Sequence, residues 1–159
     1  MGKVHIGALI IALFIPLAVG GISAALSAEG MAAYGNMNKP PLSPPAWLFP
    51  VAWTILYLMM GLASYFIFVS ESNFGSKTLP LIAYAVQLAM NFMWSIVFFK
   101  WGNYLLAFIW LMIMWGLVIW GAILFSRISR LAACLLIPYI LWLTFAAYLN
   151  MGAYILNRV

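Results

Sequence analysis

Apolar residues run in five long blocks along this chain, and charged residues are confined to the gaps. The blocks are 4–26, 46–69, 79–99, 104–125 and 131–156. Each reaches the roughly 20 residues that a helix needs to cross a bilayer. None contains Asp, Glu, Lys or Arg. The seven cations (Lys3, Lys39, Lys77, Lys100, Arg127, Arg130 and Arg158) and the two acids (Glu29 and Glu71) stand at block ends or between blocks. The alternation of outer-membrane barrel strands is absent. The pattern therefore predicts an all-α integral membrane protein, a five-transmembrane-helix bundle. Short gaps after the second, third and fourth blocks make those neighbours antiparallel. Residues 1–159 read as a single membrane domain, with no repeat and no low-complexity tract.

Composition agrees: 68% of residues are hydrophobic and 6% charged, against about a quarter charged in a soluble domain. The first block follows Lys3 and precedes Ser27-Ala28, as in a signal peptide, but its apolar run is too long for that. The net charge of +5 comes from scattered flanking cations, which is not a nucleic-acid surface. Lys3, Lys77, Arg127 and Arg130 fall on one membrane face and Lys39, Lys100 and Arg158 on the other, a slight bias toward an inside amino terminus.

Much chemistry is excluded. One cysteine, Cys134, cannot form an internal disulfide or a thiolate metal site, and in an apolar helix it reads as a small packing residue. Glu29 and Glu71 lie on opposite faces and cannot act as an acid/base pair. His5 has no carboxylate near it in sequence. A hydrolytic triad, a multi-His metal centre and a phosphate loop are missing, so no metal is expected. No helix interior carries an Asp, Glu or His, which disfavours ion-coupled transport.

Aromatic rings and a few amides remain. The longest link, 27–45, ends in Pro40-Pro41-Leu42-Ser43-Pro44-Pro45. Its prolines favour an extended form, suited either to a stiff cover over one end of the bundle or to a rigid helix start. In the second block Trp53 and Tyr57 share a face, continued by Met60 and Ser64. The third block carries Gln87, Asn91 and Ser95 on one stripe, beside Trp94. These amides must face protein or a cavity, as interhelical hydrogen-bonding groups, as polar anchors in a pocket, or as both. In the fifth block Trp142, Ala146 and Asn150 share a face, and Pro138 is a candidate kink. At about 1.5 Å per residue, Trp53, Asn91, Ala146 and Trp142 fall roughly 10–21 Å below the loop, in one slab. The first block has a small-residue stripe, Ala12, Pro16, Gly20 and Ala24, read as packing within the bundle ahead of dimerisation. The fourth, with Trp110, Trp115 and Trp120, reads as lipid-facing.

These stretches resemble the TspO/MBR family of tryptophan-rich sensory proteins and translocator proteins (peripheral-type benzodiazepine receptors). The resemblance rests on Tyr34, Lys39-Pro40, Pro44-Pro45-Ala46-Trp47, Ala52-Trp53-Thr54-Ile55-Leu56-Tyr57, the run from Gln87 to Trp94, the run from Pro138 to Trp142, Phe145-Ala146 and Leu149-Asn150. It spans essentially the whole chain. It implies a five-helix fold, a homodimer, and a pocket under the first loop for porphyrins, sterols and benzodiazepine-type ligands. The pocket residues it implies are Tyr34, Pro44, Trp53, Tyr57, Asn91, Trp94, Trp142, Ala146 and Leu149. Where relatives degrade protoporphyrin IX in light, Trp53 and Trp142 occupy the positions of the tryptophans concerned. A sterol-recognition spacing is met by Leu149, Tyr154 and Arg158. The family's tryptophans before the loop Tyr and between the prolines are replaced by Ala33 and Leu42.

The resemblance and the residues together lead to the expectation of a membrane receptor or sensor for flat apolar ligands, in a bacterial cell membrane. Protoporphyrin IX or a related tetrapyrrole would be the ligand, and no cofactor is required. Light-dependent porphyrin breakdown and facilitated tetrapyrrole or sterol movement are the alternatives. The expected partners are the lipid bilayer, the small molecule and a second copy of the chain.

Overall fold

A computed structural model of the protein describes residues 5–157. Lys3 and Arg158 lie outside them. The described residues form α1 (Ile6–Leu26), α2 (Ala28–Tyr34), α3 (Leu48–Phe68), α4 (Phe74–Ser95), α5 (Tyr104–Ser126) and α6 (Arg130–Leu156), with a π-helical turn, Ile96–Lys100, extending α4. Among the described residues, five helices are long and apolar enough to cross a membrane. They correspond to the five apolar blocks, and the molecule is a multi-pass integral membrane protein.

The helices close into a ring. α1 packs on α3, α3 on α6, α6 on α5, α5 on α4, and α4 returns to α1. Met60, Ile67, Leu111, Met114, Tyr139 and Leu143 fill the centre. Residues such as Ile10, Phe14, Ile55, Ile113 and Leu141 point outward. Lipid tails are as apolar as these side chains, so helix association relies on close packing and interhelical hydrogen bonds. The stripe on α1 serves the first need. Gly61 of α3 sits against the α1 backbone at Ala12 and Leu13.

Three expectations are corrected. α4 starts at Phe74 rather than near residue 79, so Lys77 lies inside it. The Lys77 side chain folds back to the end of α3 and donates to the carbonyls of Phe68 (2.9 Å) and Ser70. A cation there satisfies free carbonyls and complements the helix dipole. α5 faces outward on one side only: Ile109, Ile113, Trp120 and Ile123 are exposed, whereas Ala107, Leu111, Met114, Val118 and Phe125 form a buried face. The indole N–H of Trp110 donates to the Met90 carbonyl (2.9 Å) and that of Trp115 to the Thr144 hydroxyl (3.0 Å), while Trp120 is exposed. Cys134 is exposed on the outside of α6 and is not a packing residue. α6 runs through Pro138 without interruption.

The α1–α3 contact yields a test. A Cβ on Gly61 would lie 2.6 Å from the Ala12 carbonyl oxygen, whereas one on Gly21 would meet nothing within 4 Å. Gly61→Ala should cost about 1–3 kcal/mol and lower the thermal midpoint in detergent, and Gly21→Ala should not.

Candidate ligand-binding site

The polar stripe of α4 organises the interior. Asn91 is 1% exposed. Its Oδ1 accepts from the Tyr57 hydroxyl (2.7 Å), and its Nδ2 donates to the Tyr139 hydroxyl (2.9 Å). One carboxamide thus links α3, α4 and α6, and both of its ends are satisfied away from water. Gly20 of α1 leaves the space that the Tyr57 ring fills.

Aromatic rings build upward from this bridge. Trp53, one turn from Tyr57, stacks on it with centroids 5.4 Å apart and planes at 29°. Trp142 of α6 meets Trp53 edge to face at 6.4 Å and Phe49 at 6.1 Å. Across the cavity Trp94 stacks on Phe98 at 5.3 Å. Its indole N–H donates to Asn150 Oδ1 (3.2 Å), and Asn150 Nδ2 donates to the Tyr104 carbonyl (2.8 Å). Offset and edge-to-face pairs of this kind are the favoured arrangements of ring quadrupoles. The π-helical turn supplies Phe98 and Phe99 to the wall, and Tyr34 packs on both, at 5.9 and 5.8 Å. Wide turns of this type recur at functional sites.

These rings enclose one cavity. About 820 Å³ of empty space lies among its side chains, open mouth included, but only about 110 Å³ admits the centre of a water-sized sphere. Aromatic rings make up much of the wall of this slot. Tyr34, Trp53, Tyr57, Trp94, Trp142, Ala146 and Leu149 all line it. Asn91 does not: it sits behind Tyr57 and holds that ring in place. Pro44 also lies outside the lining. Phe49, Pro50, Phe98, Phe99 and Met31 line the slot without having been singled out in the sequence. An apolar residue in an apolar block carries no mark of which way it faces. Leu149 faces the slot, whereas Tyr154 lines a separate depression with Trp101 and Asn157. The third residue of the sterol spacing, Arg158, is outside the described residues.

The slot lies under a two-part cover. α2 docks on the π-helical turn, where Gly30 touches the Phe99 carbonyl. Burial pushes the Tyr34 phenol above its ordinary pKa, so it stays neutral. The Lys39 ammonium stands 5.2 Å from the Tyr34 ring centroid. Residues 35–45 then form a strap fastened to α6 at three points. Asn157 Nδ2 donates to the Asn38 carbonyl (2.9 Å) while its Oδ1 accepts from the Asn38 amide (3.2 Å). The Tyr148 hydroxyl donates to the Pro41 carbonyl (2.7 Å). Pro40 rests on Gly152, where a Cβ would come within 2.5 Å of the ring. Between these points the Ser43 amide donates to the Pro40 carbonyl (3.3 Å), and Leu42 has φ 65°. That is a turn with proline second and a left-handed third residue, where glycine is the usual occupant. The prolines thus fasten the loop to the end of α6 as well as leading into α3.

Fold and site together define a multi-pass membrane protein with an uncharged aromatic slot beneath a proline-rich strap. The sequence matches the model of the TspO/MBR family over residues 12–156, and the chain belongs to that family. Among similar proteins, the translocator protein of Ovis aries is 39% identical over 123 residues, covering 77% of this chain and 73% of its own length. The tryptophan-rich sensory protein of Cereibacter sphaeroides is 39% identical over 124 residues, covering 78% and 76%. The tryptophan-rich protein TspO of Chlorobaculum tepidum is 34% identical over 124 residues, covering 78% of each chain.

The strap is testable by displacing Pro40. Gly152→Val should raise amide hydrogen exchange across residues 36–43 by about tenfold, the factor set by losing about 1.4 kcal/mol of local stability. Exchange in the spans should be unchanged.

Proposed function

We propose that the protein is a receptor for flat, apolar ring molecules, with tetrapyrroles such as protoporphyrin IX as the best fit and sterol-like and benzodiazepine-type molecules in the same class. The observation that carries this reading is the Trp53–Trp142 pair. Two indoles of different helices meet edge to face at 6.4 Å on the wall of an aromatic cavity of about 820 Å³, open mouth included. Planar ligands bind such walls by stacking and need few polar contacts for orientation. The Asn150 carboxamide and Ser95 supply polar atoms within the slot, and Lys39 stands at the cover for a carboxylate at a ligand's rim. Relatives named for sensing and for translocation fit a ligand-responsive membrane protein.

Protoporphyrin IX added to the purified protein should quench tryptophan fluorescence saturably. Trp53→Phe combined with Trp142→Phe should weaken its binding by roughly tenfold, the loss of about one to two aromatic contacts. Quenching that rises linearly without saturation would remove this function.

The same pair favours a second reading, breakdown of the bound porphyrin with light and dioxygen as co-reactants. Trp53 and Trp142 are oxidisable rings placed against the substrate, and the photochemistry belongs to the porphyrin. An illuminated sample should then form a product absent from free porphyrin in detergent. The double Phe variant should lose that product while still retaining bound porphyrin at saturating concentration.

A further inference from the structure

A second, much smaller void lies away from the aromatic slot. It lies between α4, α5 and α6 and is partly open, with Tyr84, Gln87, Val118, Gly121, Phe125 and Leu136 among its walls. Gln87 stands midway along the span from Phe74 to Lys100, roughly 20 Å from either end at about 1.5 Å per residue. It is 4% exposed. Unpaired polar groups cost most at such a depth, because neither bulk water nor headgroups surround them.

Two polar atoms on this wall are nevertheless unpaired. Among the described residues, neither the Tyr84 hydroxyl oxygen nor Gln87 Oε1 has a hydrogen-bond partner. The nearby Ser64 hydroxyl gives its proton to the Gly61 carbonyl (2.8 Å), so toward Tyr84 it can act only as an acceptor, which leaves the lone pairs of the phenol oxygen and Gln87 Oε1 without a donor. The void offers about 10 Å³ to the centre of a water-sized sphere, close to the roughly 10–15 Å³ that one buried water needs. A third observation is independent of these. A Cβ built on Gly121 would meet nothing within 4 Å, although Gly121 is buried. In a tightly packed interior such an empty position beside two orphaned polar atoms needs an occupant.

We infer that a single water molecule is bound there. It donates to Gln87 Oε1 and accepts from or donates to the Tyr84 hydroxyl. Because water does both, the site works for either orientation of the carboxamide. Gly121 is retained in α5 because a methyl group would take the water's place. The inference does not depend on what the aromatic slot binds.

The sign of one substitution tests it. Glycine to alanine inside a helix is ordinarily stabilising. Gly116, on the same helix, is exposed and also has open space around a Cβ. Gly116→Ala should therefore leave the thermal midpoint unchanged or raise it. Gly121→Ala should lower it by roughly 2–8 °C, because evicting the water leaves two buried groups unpaired. In a Tyr84→Phe/Gln87→Leu background, which removes both groups, Gly121→Ala should no longer destabilise. A Gly121→Ala protein as stable as wild type, or more so, overturns the inference. If that variant does not fold, the pair Tyr84→Phe and Gln87→Leu decides. Each alone should destabilise and the double variant should recover part of the loss, whereas additive losses overturn the proposal. A structure that resolves ordered waters and shows none between Tyr84 and Gln87 overturns it as well.

Discussion

The interior of this protein depends on one carboxamide being satisfied in hydrocarbon. Asn91 cannot face lipid without a cost of several kcal/mol, so its two ends find the hydroxyls of Tyr57 and Tyr139. Interhelical hydrogen bonds in membranes contribute only about 0.6–2 kcal/mol each. Their larger effect here is geometric. They fix α3 and α6 against α4 at one level and hold Tyr57 as a floor on which Trp53 stacks. Remove the bridge and the Tyr57 ring has no reason to stay upright. The slot is thus a by-product of solving a solvation problem.

The same logic runs through the rest of the bundle. Trp94 reaches Asn150, Asn150 reaches a carbonyl of α5, Trp110 reaches a carbonyl of α4, and Trp115 reaches Thr144. Each indole N–H turns inward to a partner and carries its large ring with it. Trp94, Trp110 and Trp115 are thereby gathered between helices, whereas Trp47, Trp101 and Trp120 stay exposed.

Much of this was legible in the sequence, for identifiable reasons. Charge segregation marked the five spans because a bilayer tolerates few charges. The stripe of Gln87, Asn91 and Ser95 announced an interior face for the same reason, and the shared face of Trp142, Ala146 and Asn150 does line the slot. The failures are equally physical. Lys77 hid the first turn of α4 because a cation within a helix looks like its boundary unless its tip can reach the carbonyls of another helix. The seven residues of α2 are too few to show periodicity, and the helix is held by docking rather than by propensity. Phe49, Phe98 and Phe99 were invisible as lining, since inward and outward positions are equally apolar in a membrane helix. The resemblance implies Asn91 among the pocket residues; in the structure its carboxamide bonds Tyr57 and lies off the lining.

The π-helical turn constrains the length of the chain as well as its composition. Such a turn holds an additional residue per hydrogen-bonded loop compared with a regular helix. Deleting one residue within 96–100 would let the turn tighten to the ordinary pitch, removing the widened stretch of wall while largely keeping the direction of the helix. The loss would be local: Phe99 would shift against Tyr34, and Gly30 would lose the carbonyl it rests on. The extra residue thus serves the docking of α2, and the span itself would persist without it.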